Sequence, residues 1–497
     1  MNKNQLIPKG NSVNFSSLLM KSSIILFLIV TCGPLCFSQQ HDKLNVLFII
    51  SDDLTTTAVS AYGNTGCQTP NIDHLAAEGI RYTHAYSQYP VCGPSRASLM
   101  FGYYPTATGT YGYVSGRDDV GADRRSWAQL FKDNGYYTAR VSKIFHMGTE
   151  DLINGVDGAD DTVSWTERYN SQDPLWHAEG EGELVQKNPF GLEPPKQGGN
   201  LMSIIRAEGG DSDYSDGKTA DKVAELLRKH KDEPFFIAAG FFRPHVPFVA
   251  PKEYFRAYPH EQIVLPPKVA NDWDDIPASG INYVTSENGM MSEEQEKKAV
   301  AAYYSTVSYM DRQLGKILQV LKEEGLAKNT IVVFTSDHGY HLGEHDFWMK
   351  VGLHEESVRV PLIIKVPGKQ PAICHSLVEL IDLYPTVAEL AGLSASPHLQ
   401  GESLVATLDR PSHRVRDAAF SVTTNGKKPG EAFLLRTKKW SYIQYGEDAA
   451  QGMELYDMEY DSKQYNNLAH FPRYQSIIKE LQHLLKQKLT EVRTNDL

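Results

Sequence analysis

Positive charge is what this chain lacks most. Its 497 residues carry 49 Lys and Arg against 61 Asp and Glu, a net charge of −12. If residues 1–38 are removed, Lys3, Lys9 and Lys21 go and no acid goes with them, which takes the charge to −15. Such a surface argues against nonspecific nucleic-acid binding, where cations must replace counterions. It leaves room for an anionic substrate, because a local basic pocket overrides the global field. Long hydrophobic runs are also missing. The apolar stretch at 24–30 is seven residues, too short to span a bilayer. With the lysines before it and Cys36-Phe37-Ser38 after it, it reads as a signal peptide over 1–38, cleaved before Gln39. An exported protein without a transmembrane segment, periplasmic or secreted, is the expectation. Repeats and low-complexity tracts are absent. Cysteine is scarce, at five residues, and Cys32 and Cys36 leave with the leader. Cys67, Cys92 and Cys374 remain. Two of these could pair, and the odd thiol calls for a chemical explanation.

What is present describes a globular α/β protein. Hydrophobic residues make up 41% and charged residues 22%, the ordinary balance for a chain that buries a sizeable core. Apolar runs at 44–50, 235–242, 331–334 and 360–366, with a weaker one at 136–141, read as buried parallel strands. Helical patterns lie between them. Ser126 is placed to cap one helix, with Gly135 past its end. Ser292-Glu293-Glu294-Gln295 forms a capping box for a long helix that stops at Gly325. The expected fold is α/β, a large mostly parallel sheet flanked by helices over 39–395. Beyond it, antiparallel strands at 433–436 and 440–445 and a helix over 474–488 suggest a smaller α+β subdomain at 396–497. The stretch 148–217 reads as a long irregular insertion.

The candidate chemistry sits at strand ends. Asp52-Asp53 follows the first strand, and ligands gather at the carboxyl ends of parallel strands. Adjacent carboxylates there call for a cation, although a helix cap and a turn would use the same residues. Asp337-His338 occupies the equivalent place after another strand. Hard oxygen donors suit calcium or magnesium better than zinc. Cys92-Gly93-Pro94-Ser95-Arg96 places a cysteine at the positive start of a helix, with Arg96 one turn on. The plainer alternative is a buried cysteine beside a capped helix.

Cys92-x-Pro94-Ser95-Arg96 followed by Leu99-Met100 and Gly102 resembles the sulfatase signature. The surrounding order agrees: Asn45 to Asp53, Thr69-Pro70-Asn71-Ile72-Asp73, Ser142-Lys143-Ile144-Phe145-His146, Arg243-Pro244-His245-Val246-Pro247, Thr335 to Gly339, Lys350, and Leu455-Tyr456-Asp457 with Asn467-Leu468-Ala469. The resemblance covers nearly the whole chain after the leader. His338 after Asp337, and the spacing of Lys143 and His146, are similar to the iduronate-2-sulfatase branch. Phe101 departs from the threonine or serine usual before the glycine.

The resemblance implies a type I, formylglycine-dependent sulfatase with an alkaline phosphatase-like fold. It implies that a formylglycine-generating enzyme oxidises Cys92, and that Asp52, Asp53, Asp337, His338 and the modified Cys92 bind one Ca2+. It assigns Arg96 to hold charge, Lys143 and Lys350 to grip sulfate oxygens, His146 to serve as base in a release step, and His245 to protonate the leaving oxygen. Turnover would pass through a formylglycine-sulfate intermediate. The implied substrate is a sulfated carbohydrate, an algal polysaccharide such as ulvan or a glycosaminoglycan. One alternative is a formylglycine-dependent phosphodiester or phosphonate monoester hydrolase of the same superfamily. Another is a non-catalytic carbohydrate-binding relative. His341, His345 and His354 crowd the same region and are given no place in direct contact with the ion.

Overall fold

Every residue of the first strand, β1 (Asn45–Asp52), is buried, because helices cover both faces of the sheet it centres. A computed structural model describes residues 43–186, 202–424 and 431–494 of the protein. The segment read as a leader lies outside them. The remaining strands of the main sheet are β2 (Ile80–Tyr86), β3 (Tyr137–Ser142), β4 (Glu167–Tyr169), β5 (Phe235–Pro244), β6 (Thr330–Ser336), β7 (Arg359–Lys365) and β8 (Ala372–Glu379). Their order is β8-β2-β7-β6-β1-β5-β3-β4. Pairing is parallel from β6 through β4 and between β2 and β8. Strand β7 alone runs antiparallel to both neighbours, which corrects the expectation of a parallel strand at 360–366. A run buried on both faces carries no information about its direction.

Side chains of β1 alternate between two cores, as strand geometry requires. Leu47 and Ile49 face α4 (Ser215–Lys229) and α5 (Glu293–Glu323), whereas Val46, Phe48 and Ile50 face α2 (Cys92–Phe101), α3 (Trp127–Asp133) and α6 (Leu383–Leu390); α1 (Pro70–Glu78) lies on the α5 side. Each fully buried Leu, Ile or Phe contributes roughly 1.5–3 kcal/mol. The expected caps are in place: Ser126 accepts from Gln129 N, and Ser292 and Gln295 exchange bonds ahead of α5.

The carboxy-terminal part forms a second, antiparallel sheet from β9 (Ala418–Thr423), β10 (Ala432–Thr437), β11 (Trp440–Tyr445) and β12 (Met453–Asp457), followed by α7 (Gln475–Arg493). The stretch read as irregular contributes two strands of a three-stranded sheet, Gly180–Leu184 and Ser203–Ala207, which Phe248–Pro251 completes. Among the described residues, no helix is long and apolar enough to cross a membrane. Cys67, Cys92 and Cys374 are buried and free, so the pair left open by the sequence is not formed.

Candidate active site

Four strands of the sheet deliver their functional residues at their carboxyl ends. Asp52 ends β1 and Asp53 follows it, turned by a φ of 66°. Lys143 follows β3 after Ser142 at φ 61°, His245 follows β5, and Asp337-His338 follows β6. Cys92 opens α2 with only 1% of its surface exposed. Lys350 stands between Met349 at φ 68° and Val351 at φ 89°. A β-branched residue in that region costs on the order of 1–3 kcal/mol, and such strain is tolerated where a side chain must be aimed.

The residues converge. Donor atoms of Asp52, Asp53, Cys92 and His338 all lie within 4.8 Å of one another. His338 Nε2 is 3.3 Å from Cys92 Sγ and 3.2 Å from Asp53 Oδ1. Lys350 Nζ is 2.7 Å from Asp53 Oδ1 and 3.3 Å from Sγ. Arg96, fully buried, donates Nε to Asp337 Oδ2 at 2.8 Å and Nη2 to Asp52 Oδ1 at 3.3 Å. Lys143 Nζ donates to Asp52 Oδ2. Asp337 stands just outside the tightest group, its Oδ1 accepting from the backbone N–H groups of Asp53 and His338. His245 donates Nδ1–H to the Val246 carbonyl, between two cis X-Pro bonds, Arg243-Pro244 and Val246-Pro247. His146 packs its ring on Tyr113.

Electrostatics sorts these groups. Burial pushes the Asp52 pKa up, but Lys143, His245, Arg96 and Lys350 outweigh it and hold the carboxyl well below its usual range. For Asp53, burial prevails over Lys350 and His338, and the pKa rises. Burial, aided by Asp52, pushes the Cys92 thiol well up, which favours its protonated form. Burial and Lys143 lower His146 to about 3, leaving its imidazole neutral. Burial and Lys350 likewise lower His245.

The donor set fits a divalent cation. Asp53 Oδ2 is buried with no hydrogen-bond partner. His338 holds its Nδ1 proton on the Gly339 carbonyl at 2.9 Å, which leaves the Nε2 lone pair facing the cluster. A backbone carbonyl on the distal nitrogen is how ligating histidines are oriented. His341, His345 and His354 contribute no atom to this group. His345 binds Asp272 at 2.8 Å and His354 binds Glu454 at 2.9 Å.

A sulfatase family model matches residues 44–393, and a model for the carboxy-terminal region of N-sulphoglucosamine sulphohydrolase matches residues 343–494. The chain belongs to the sulfatase family. This sulfatase is a sulfuric ester hydrolase of the alkaline phosphatase superfamily. It is 34% identical over 462 residues to a protein described as a sulfatase from Formosa agariphila, covering 90% of this chain and 87% of that one. Iduronate 2-sulfatase of Mus musculus is 33% identical over 398 residues, covering 72% of this chain and 70% of its own. The solved phosphonate monoester hydrolase of Agrobacterium radiobacter shares the fold, with a TM-score of 0.72 at 21% identity over 91% of this chain and 95% of that one.

Two residues near this cluster have no motif to announce them. Tyr113, in the loop after α2, covers His146, and Tyr283 sits beside Met349, its hydroxyl 3.5 Å from the sulfur. A lone tyrosine in an irregular loop carries no sequence signal.

Proposed function

We propose that this sulfatase is exported and removes O-sulfate groups from a sulfated polysaccharide or its oligosaccharides, with formylglycine made from Cys92 by a formylglycine-generating enzyme and with one Ca2+. One arrangement carries the reading: Cys92 opens a helix inside a nest of carboxylates and a histidine, with Lys143, Lys350 and Arg96 around it. A formylglycine hydrate would supply the two oxygens that the reaction needs, and a divalent ion would supply positive charge beside them. Asp52, Asp53, Asp337 and His338, with the oxygen at position 92, would hold the ion, and their oxygens favour calcium over zinc.

The chain's own groups do the rest. Lys143 and Lys350, which bond Asp52 and Asp53 in the resting site, would take the sulfate oxygens. Arg96 neutralises Asp52 and Asp337 and fixes them. His146, its imidazole neutral in the resting site, would accept the proton of the release step once the bound sulfate's negative charge raises its pKa. His245, its Nδ1–H fixed on the Val246 carbonyl, presents Nε2 to the leaving oxygen. An anionic ester beside this imidazole raises its pKa and favours the protonated form that can donate. The similarity to iduronate 2-sulfatase supports a 2-sulfated uronic acid as the sugar.

Peptide mass spectrometry of active enzyme should find an aldehyde or its hydrate at position 92, and Cys92→Ala should fold but not turn over. Full activity with an intact thiol would sink the mechanism. Chelation should abolish hydrolysis of sulfated saccharides and calcium should restore it; restoration by zinc alone would overturn the metal assignment.

A further inference from the structure

Two aromatic side chains stand near Cys92 that the proposed chemistry does not use. Tyr113 is 58% exposed, and its ring lies on that of His146, with centroids 4.4 Å apart and planes inclined at 33°. Val114, its neighbour, is 48% exposed. The two place exposed apolar side chains next to a charged site.

The loop that carries Tyr113 is fixed. A Cβ on Gly93 would lie 2.4 Å from the Gly112 carbonyl oxygen and 2.9 Å from Tyr113 Cα, so the loop backbone rests directly on the first turn of α2. Downstream, a Cβ on Gly116 would stand 3.0 Å from Ala97 Cβ. Thr110 Oγ1 anchors the other end on Asp119 at 2.5 Å. The backbone that carries the ring is therefore held in place.

Tyr283 approaches from the Lys350 side, half-buried, with its hydroxyl on Met349 sulfur. Cys92, Lys350 and Asp53 lie within electrostatic reach of both tyrosines, and Tyr283 also senses Tyr113. Met349 directly precedes Lys350, so Tyr283 stands on the Lys350 side of Cys92, and Tyr113, against Gly93 and His146, stands on the other.

We infer that Tyr113 and Tyr283 form the subsite for the sugar ring that bears the scissile sulfate, with the apolar C–H face of a pyranose on Tyr113 and its hydroxyl edge toward Tyr283. A pyranose has the matching chemistry: one face of C–H groups and a rim of hydroxyls. Tyrosine offers an apolar face and one polar handle. The inference rests on the reading of position 92 as the reacting centre and adds the substrate's shape to it.

The test compares wild type, Tyr113→Ala and Tyr113→Trp on sulfated disaccharides from heparin, chondroitin sulfate and ulvan, with inhibition by inorganic sulfate measured alongside. Loss of the ring should raise KM for each cleaved disaccharide roughly three- to tenfold, the size of one aromatic contact. Tryptophan should restore it. The inhibition constant of inorganic sulfate, which has no ring to stack, should not move. A fall in kcat with KM unchanged would make Tyr113 a positioning residue for His146 and overturn the subsite. Unchanged kinetics in Tyr113→Ala would overturn it too, while leaving the sulfatase chemistry intact. Cleavage of 4-nitrophenyl sulfate but of no disaccharide would instead overturn the sugar reading, and the subsite with it.

Discussion

At the scale of single residues, His245 separates binding from proton transfer. Its Nδ1 proton is committed to the Val246 carbonyl, so Nε2 donates only as the imidazolium. Burial and Lys350 oppose that form in the resting site. An alkoxide leaving from a sugar is strongly basic and needs the proton, whereas an aryl oxide hardly does. His245→Ala should therefore slow sugar-sulfate cleavage by roughly 10²–10⁴-fold and aryl-sulfate cleavage far less. Parallel kinetics on the two substrate classes checks this. Equal losses would mean that His245 mainly grips sulfate, and the acid would have to be sought at Lys350. The positions of Asp52, Asp53, Asp337 and His338 at strand ends and of Cys92 at a helix start were legible in the sequence, because apolar runs and the Pro94-Ser95 helix start mark them. Tyr113 and Tyr283 were not, because their position depends on loops that only tertiary packing fixes.

At the scale of elements, the site depends on how closely β3 and β5 approach. Gly240 of β5 pairs with Ser142 of β3, and a Cβ there would sit 2.0 Å from the Lys143 carbonyl oxygen. The missing side chain lets the chain turn over β5 just where Lys143 must reach Asp52. Gly240→Ala should push that turn outward, cost about 1–3 kcal/mol of stability through overpacking, and lower kcat/KM by at least about tenfold. Gly182→Ala is the control. Gly182 lies in a strand, nothing stands within 4 Å of its added Cβ, and Tm and kcat/KM should hold. If both variants behave alike, the close approach is not what positions Lys143. The long apolar strands and the 31-residue helix α5 were readable because continuous burial and a 3.6-residue period leave a strong trace. Strands β2 and β8 went unread. Their burial is interrupted by half-buried polar residues such as Thr83, His84 and Ser376, and β8 lies at the sheet's edge.

At the scale of the whole molecule, the small sheet is fastened to the large one by buried charge as well as by apolar contact. One core cluster joins Tyr86, Val358 and Leu377 of the large unit to Ala419, Leu434 and Ile443 of the small sheet. Above it, Arg416 donates to both Glu379 and Asp382 at the end of β8, and Phe420 N of β9 donates to Glu379 Oε1 at 2.6 Å. Glu355 accepts from Arg436 Nε of β10 at 2.8 Å. Arg416→Ala leaves two carboxylates buried without a counter-charge, a change that costs about 3–5 kcal/mol. Burial, only partly offset by Arg416, already raises Asp382 to about 6. Without the arginine that pKa climbs further, so the folded state holds a proton that the unfolded state has released. Stability of the variant then falls as pH rises through this range. The deficit against wild type should be largest near pH 8 and shrink toward pH 5, where Asp382 takes up a proton. Calorimetry at the two pH values checks the sign. A single transition that moves down in temperature is expected, because the two sheets share a core. An endotherm that splits in two would show that the small sheet melts alone, and a deficit independent of pH would show that Arg416 acts through packing rather than charge.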